Sequence, residues 1–380
     1  MSRLALCPSR ILTPEGFVRG RCLLVENGRI AAVTSLADCP TDLPRRALDG
    51  DVLPGFIDLQ VNGGGGVLFN DAPTVEGIAA IGRAHRQFGT TGFLPTLISD
   101  DLDVIAQAIE AVDAAIEADV PGVLGIHIEG PFLNPVKKGI HDGSKFRILD
   151  EAGIELLCSL RRGRTLVTLA PECAPKGAIR ALVDRGVVVA AGHTNASYEE
   201  IQASLAEGLS GFTHLFNAMT QLGGRAPGAV GAALECRHCW CGLIVDGHHV
   251  HPAAMRIALA AKGPDRLLLV TDAMPTVGSD RQEFSLGGQR ITADHGRLLA
   301  ADGTLAGSSL DMAQAVRNAQ RLLGVELEAA VHMASAAPAG VMGLSDRRGA
   351  IRPGFSADLV LVDADQAVLE TWIAGRAEPA

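Results

Sequence analysis

Four residues of this chain pair a metal-binding or proton-moving side chain with the same local setting. Glu129 closes the apolar run GVLGIHIE, His193 closes GVVVAAGH, His214 closes GFTH and Asp272 closes RLLLVTD. Each run has the length and β-branched content of a buried strand, so each of these side chains stands at a strand's C-terminal end. Glu129, His193 and His214 offer one oxygen and two nitrogens, a donor set that suits Zn²⁺ or a similar ion and leaves positions open for water. Such an ion brings the pKa of a water towards neutrality and polarises a carbonyl. Asp272 can take a proton from the water and deliver it to a leaving amine. A single strand-end histidine is more often structural, and Glu129 alone could be an ordinary paired carboxylate. Four such ends together point to a divalent-metal hydrolase.

Side chains at strand ends converge only if the strands lie side by side. Eight strand-like runs alternate with helical ones: GFIDLQVN, TGFLPTL, GVLGIHIEG, TLVTLAP, GVVVAAGH, GFTHLFN, CGLIVDG and RLLLVTDA. Helical patterns with 3.6-residue spacing and N-cap-type starts follow Asp101, Ser197 and Asp311. This is the α/β pattern of a (β/α)8 TIM-like barrel, whose active site is built at the C-terminal ends of the strands. A doubly wound sheet is the alternative. Its nucleotide fingerprint is missing, because Gly63 to Gly66 follow the first strand without GxGxxG spacing. Those glycines suit a tight turn or a close backbone approach to a ligand.

The two ends of the chain read differently. The first fifty-odd residues are short strands broken by Pro-Glu-Gly and by Asn27-Gly28, a type I′ hairpin signal. The last thirty-odd residues look alike, and neither piece can bury a core alone. Paired, they would form a small β-sandwich domain of residues 1–53 and 346–380, leaving 54–345 for the catalytic barrel.

Composition narrows the partners. Of 380 residues, 47% are hydrophobic and 20% charged, which supports a large core and argues against disorder. A net charge of −10 with no basic block argues against nucleic acid and against an anionic membrane surface. An anionic substrate would therefore need a local basic cluster. No signal peptide is evident and no apolar run reaches the roughly 18 residues of a membrane span, so a cytoplasmic location is expected. Eight cysteines in such a chain are expected to be reduced. Cys236, His238, Cys239 and Cys241 crowd into ECRHCWCG, where plain thiols are favoured over an accessory metal site.

The strings LPGFIDLQVNGGGG, GIHIEGPFLNPVKKGIH, AGHTNA, THLFNAM, GRAPGAVGAAL, DGHHV, LVTDAM and LAGSSL follow one another from about residue 50 to about residue 310. In that order they resemble the N-acetylglucosamine-6-phosphate deacetylases of the amidohydrolase superfamily. The resemblance implies one divalent metal ion per subunit on Glu129, His193 and His214, taken as Zn²⁺ with Fe²⁺, Co²⁺ or Mn²⁺ as alternatives. It implies Asp272 as acid/base and His141 beside the substrate's amide. Ile140, His141, Asn217, Ala218, Arg225, His249, Ala306, Gly307 and Ser308 match phosphosugar-binding positions. His248 and His251 have no matching role. Arg225 would reach the neighbouring subunit's site in a homodimer. The superfamily's usual His-x-His stands here as Gln60-Val61-Asn62, which resembles the single-metal branch; these amides would meet the ion through water at most. The stretch MPTVGSDRQEF after Asp272 looks like an insertion. Rival readings are the galactosamine 6-phosphate isomer as substrate, another amidohydrolase chemistry, and a barrel that has lost its metal.

Overall fold

The computed structural model describes residues 3–379. Eight strands form one parallel ladder in chain order: β1 (Phe56–Val61), β2 (Thr90–Ile98), β3 (Gly125–Glu129), β4 (Arg164–Leu169), β5 (Val188–Ala191), β6 (Gly211–Phe212), β7 (Trp240–Ile244) and β8 (Leu267–Val270). They read as near-continuous apolar runs because both faces are covered, by helices outside and by facing strands inside. The helix signals locate real starts. Ser197 and Glu200 form a capping box on Tyr198–Glu207, and the Asp311 side chain accepts from Gln314 N at the start of Met312–Asn318.

The ladder closes between β8 and β1, and it does so near the functional end. Asp272 N donates to Gln60 O at 3.0 Å and Asn62 N to Ala273 O at 2.9 Å. Deeper in the seam, the Asp58 carboxyl accepts from Gln60 N, Thr271 N and the Thr271 hydroxyl. Asp58 is fully buried, and burial pushes its pKa up to about 7 against those hydrogen bonds. The sixth run is shorter than its sequence suggests. Only Gly211–Phe212 is strand, because His214, Phe216 and Ala218 all turn to positive φ.

The chain termini do pair. One six-stranded sheet runs in the order Arg376–Pro379, Val368–Ile373, Leu359–Val362, Asp51–Pro54, Arg10–Thr13 and Gly16–Arg19, joining both ends of the chain. A four-stranded sheet of Arg3–Cys7, Arg21–Glu26, Arg29–Ser35 and Arg45–Ala47 faces it. Leu6, Ile11, Leu23, Val52, Leu359 and Trp372 are buried together in the core between them. Asn27 and Gly28 have φ of 49° and 78°, as a type I′ turn requires.

The stretch after Asp272 leads into a four-stranded antiparallel meander of Glu283–Leu286, Gln289–Asp294, Arg297–Leu299 and Leu305–Ser308. It has its own small core of Leu286, Ile291, Leu298 and Ala306, packed on Leu68, Ile98 and Met274 of the barrel. Gly63 to Gly66 make a tight hairpin with Val67–Leu68. At Gly63 a Cβ would lie 2.4 Å from Val67 O, so backbone packing accounts for this glycine. One expectation fails: Cys236 and Cys239 are joined as a disulfide, so the cysteines are not all free thiols. Among the described residues the crowded cysteines form no metal-type cluster, and no helix is long and apolar enough to cross a membrane.

Candidate active site

At the C-terminal end of the barrel three strand tips bring their side chains to one point. Glu129 Oε1 lies 3.0 Å from His193 Nε2 and 2.9 Å from His214 Nε2, and the two nitrogens are 3.0 Å apart. All three residues are buried. His193 Nδ1 donates to Lys137 O at 2.8 Å, which turns its Nε2 towards Glu129. A backbone carbonyl behind a ligating imidazole is the usual way that a metal site fixes its tautomer. Two imidazole nitrogens and a carboxylate oxygen, each within about 3 Å of the others, are a donor set that suits a divalent cation. The residues present therefore fit the group. Burial alone would raise the Glu129 carboxyl; the two imidazoles that meet it hold it well below the usual carboxylate range.

Gln60 and Asn62, at the end of β1, act on carboxylates. Gln60 Nε2 donates to Glu129 Oε2 at 3.1 Å and to Asp272 Oδ1 at 3.0 Å. Asn62 Nδ2 donates to the same Asp272 oxygen at 2.7 Å. One amide thus bridges the Glu129 and Asp272 carboxyls without adding charge. Burial, and then the charge on Glu129, push Asp272 up to about 6, which suits proton transfer near neutral pH.

Three of the four predicted chemistry-bearing tips have left-handed backbone: φ is 48° at His193, 32° at His214 and 54° at Asp272. Each such non-glycine conformation costs about 1–3 kcal/mol and persists only where its surroundings enforce it. Here the chain ends a strand and turns the side chain inward over the barrel mouth within one residue.

The pocket above these groups has a volume of about 220 Å³. Asn62, Glu129, Ile140, His141, His193, His214, Asn217, Ala218, His249, Asp272 and Gly307 line it, together with Met274, Thr304 and Leu305 beside the meander. His141 Nδ1 accepts from Ser99 Oγ at 2.8 Å and Ser99 N at 3.3 Å, leaving Nε2 to carry the proton. Burial, reinforced by His193, holds His141 well below the usual histidine range, so it is a neutral donor. Gly307 has φ 63°, and a Cβ there would lie 2.7 Å from Met274 Cγ and 2.8 Å from Asp272 O.

Three predicted binding residues are not at the pocket wall of this chain. Arg225 is exposed on the loop before Gly228–Glu235. Ala306 is buried in the meander's core. Ser308 donates its hydroxyl to Thr271 O at 2.6 Å and its N–H to Asp272 O at 2.9 Å, tying the meander to β8. His248 is exposed, while His251 Nδ1 accepts from Ala253 N at the start of Pro252–Lys262. A larger cavity of about 560 Å³ between the terminal sheets and Leu327–Ala334 holds none of the predicted site residues.

Sequence reasoning overlooked Ser99, Asp246, His127 and Asp58. Ser99 sets His141, and Asp246 binds His249 Nδ1 at 2.6 Å. His127 lies two residues before Glu129 on β3 and points the same way. It bonds Thr96 and Thr168 inside the barrel. DGHH was a readable signal for Asp246, since an acidic residue three positions before a pocket histidine can reach it. The two-residue alternation before Glu129 was a readable signal for His127, and nothing local marked Ser99 or Asp58.

A parallel (β/α)8 barrel with a carboxylate, two imidazoles and a perturbed acid at its C-terminal mouth defines a metal-dependent hydrolase. Comparison with known proteins narrows the class. Residues 52–377 match the model of the Amidohydrolase family, and the chain belongs to that family. It is 43% identical to an N-acetylgalactosamine-6-phosphate deacetylase of Shewanella sp. (strain ANA-3), over 97% of this chain and 94% of that one. The crystal structure of N-acetylglucosamine-6-phosphate deacetylase from Pasteurella multocida superposes with a TM-score of 0.95, at 33% identity and full coverage of both chains. A mutant N-acetyl-D-glucosamine-6-phosphate deacetylase from Mycobacterium smegmatis, in complex with N-acetyl-D-glucosamine-6-phosphate, superposes with a TM-score of 0.90 at 33% identity, covering 99% of each chain.

Proposed function

We propose that this enzyme hydrolyses the acetamide of N-acetyl-D-glucosamine 6-phosphate to acetate and glucosamine 6-phosphate, in amino-sugar catabolism or cell-wall recycling. The observation that carries the reading is the bridge Glu129–Gln60–Asp272, which sets a metal-type carboxylate and a proton-transfer carboxyl on one amide at the pocket floor. Glu129, His193 and His214 would hold one divalent ion, for which we favour Zn²⁺. When bound, the ion supplies Lewis-acid activation of water and of the acetamide carbonyl. Asp272 takes a proton from the attacking water and passes it to the departing nitrogen. His141 Nε2–H donates to the carbonyl oxygen as negative charge develops there. Asn217, Ala218, His249 and Gly307 hold the sugar phosphate.

The same reading assigns residues 54–345 to the catalytic barrel and 1–53 with 346–380 to the small domain; residues 1, 2 and 380 lie outside the described chain. It makes the enzyme a cytoplasmic homodimer in which Arg225, exposed and outside its own pocket, serves the neighbouring subunit's site. A second reading is favoured by one observation: the 43% identical Shewanella protein is a deacetylase of the galactosamine isomer. Acetate release would be measured on both isomers with chelator-stripped protein reloaded with Zn²⁺. Metal-dependent release from the glucose isomer is expected. Preference for the galactose isomer would move the substrate and keep the mechanism. Release from neither, with metal bound, would overturn the phosphosugar assignment.

A further inference from the structure

An anionic substrate needs a cation, and this chain's own residues bring few to the pocket beside the Arg225 proposed to reach it from the neighbouring subunit. Among the described residues that line it there is no lysine and no arginine. His193 and His214 face Glu129, and His141 is held neutral by burial. His249 is the remaining basic group in the wall. Its Nδ1 lies 2.6 Å from Asp246 Oδ2, with both side chains 7% exposed. The other oxygen, Asp246 Oδ1, accepts the backbone N–H groups of His248 and His249 at 2.8 and 2.9 Å. The carboxylate therefore fixes the loop and the ring together. With Nδ1 donating to Asp246, Nε2 is the free end of the ring, in a side chain that lines the cavity.

We propose that Asp246 is a positioning residue for the phosphosugar: it keeps His249 protonated at Nδ1 and turned into the pocket, so that the ring meets the phosphate as an imidazolium whose charge Asp246 balances. The proposal rests on the phosphosugar reading above. A hydrogen bond between charged groups is roughly twice as strong as a neutral one, so the paired ring is the stronger anion anchor. The two pocket histidines that are not metal-type ligands thus divide the work. Ser99 makes His141 a neutral donor for the amide, and Asp246 makes His249 a cation for the phosphate.

The test compares Asp246→Asn and His249→Gln with wild type, all metal-loaded, on N-acetylglucosamine 6-phosphate and on unphosphorylated N-acetylglucosamine. Asparagine keeps an acceptor for the two backbone N–H groups and removes the charge. Asp246→Asn is expected to raise KM for the phosphorylated sugar about tenfold while kcat moves less than about threefold. On the unphosphorylated sugar, kcat/KM should move less than about threefold. His249→Gln should show the same split, and the double variant should add little, because the two residues act as one unit. Equal losses on both sugars, in a wild type that prefers the phosphorylated one, would mean a merely structural role and overturn the proposal alone. A fall in kcat at unchanged KM would also overturn it and assign the pair to Asp272. A wild type with no preference for the phosphorylated sugar would overturn the phosphosugar reading and this proposal with it. Should Asp246→Asn not fold, His249→Gln, which leaves the loop's backbone bonds in place, decides the same question.

Discussion

The two walls of the pocket are built on opposite principles. One wall consists of strand tips: Glu129, His193, His214 and Asp272 project from a parallel ladder, buried and in contact with one another or through Gln60. The other consists of loops and the meander, where Asn217, Ala218, His249, Leu305 and Gly307 line the cavity. On the proposed reading, chemistry is held by the element least able to move, and recognition by the elements most easily replaced. A barrel of this kind can keep its reaction while its substrate changes.

The sharpest way to break that division is at Asp272. Asp272→Asn should lower kcat by about 10²–10⁴-fold while bound metal, read by elemental analysis, stays at the wild-type level. Full turnover in the variant would remove Asp272 from the acid/base role. Glu129→Gln attacks the same wall through its ligand set. It removes the carboxylate that both imidazoles face, so dialysed protein should retain little metal and correspondingly little activity. Metal content equal to wild type would show that the ion sits elsewhere.

The loop wall should respond more mildly, and in KM. Gly307→Ala places a methyl against Met274 and the Asp272 carbonyl at a positive φ, so kcat/KM should fall about tenfold with a stability loss of about 1–2 kcal/mol. If kcat alone falls, the meander acts on Asp272 and not on the sugar, and the two walls are less separate than described.

Beneath both walls, Asp58→Asn should leave turnover nearest to wild type and change how stability depends on pH. The native Asp58 carboxyl holds its proton up to about pH 7, while the unfolded chain releases it near 3.8. Between those values the native state binds the extra proton, so raising the pH destabilises wild type, by up to about 4 kcal/mol. The asparagine variant lacks this slope. Its stability relative to wild type should rise from pH 4 to 7 and level off above, measured by denaturant unfolding. Parallel stability curves would show that Asp58 is ionised in the fold.

The tip wall was readable in the sequence because its signal is local. A run of apolar residues ending in Glu, His or Asp needs no partner to be noticed, and four of the eight runs that define the ladder end this way. The terminal sandwich was readable for a similar reason, since Asn27-Gly28 dictates its turn. What stayed hidden depends on groups distant in the chain. Gln60 was recognised as a departure from His-x-His, yet its bond to Asp272 spans 212 positions and no pattern announces it. Ser99 and Asp58 read as ordinary strand residues, and burial alone gives them their roles. The stretch after Asp272 was read only as resembling an insertion, and the meander's polar strands carry too little apolar alternation to be read as a sheet. Ser308 matched a binding position by motif, whereas its side chain faces the backbone of Thr271.

That last contact limits how the fold can be rebuilt. Asp272 O accepts from Ser308 N, and Met274 N donates back to Ser308 O, so the meander's final strand pairs in parallel with the segment that leaves the barrel's eighth strand. The rim is not a detachable cover. An exchange of residues 283–308 between enzymes of different sugar preference would re-set the backbone that aims Asp272 unless the junction at 306–308 travelled unchanged. Swapping the meander's outer hairpins while keeping that junction is the graft that this architecture permits.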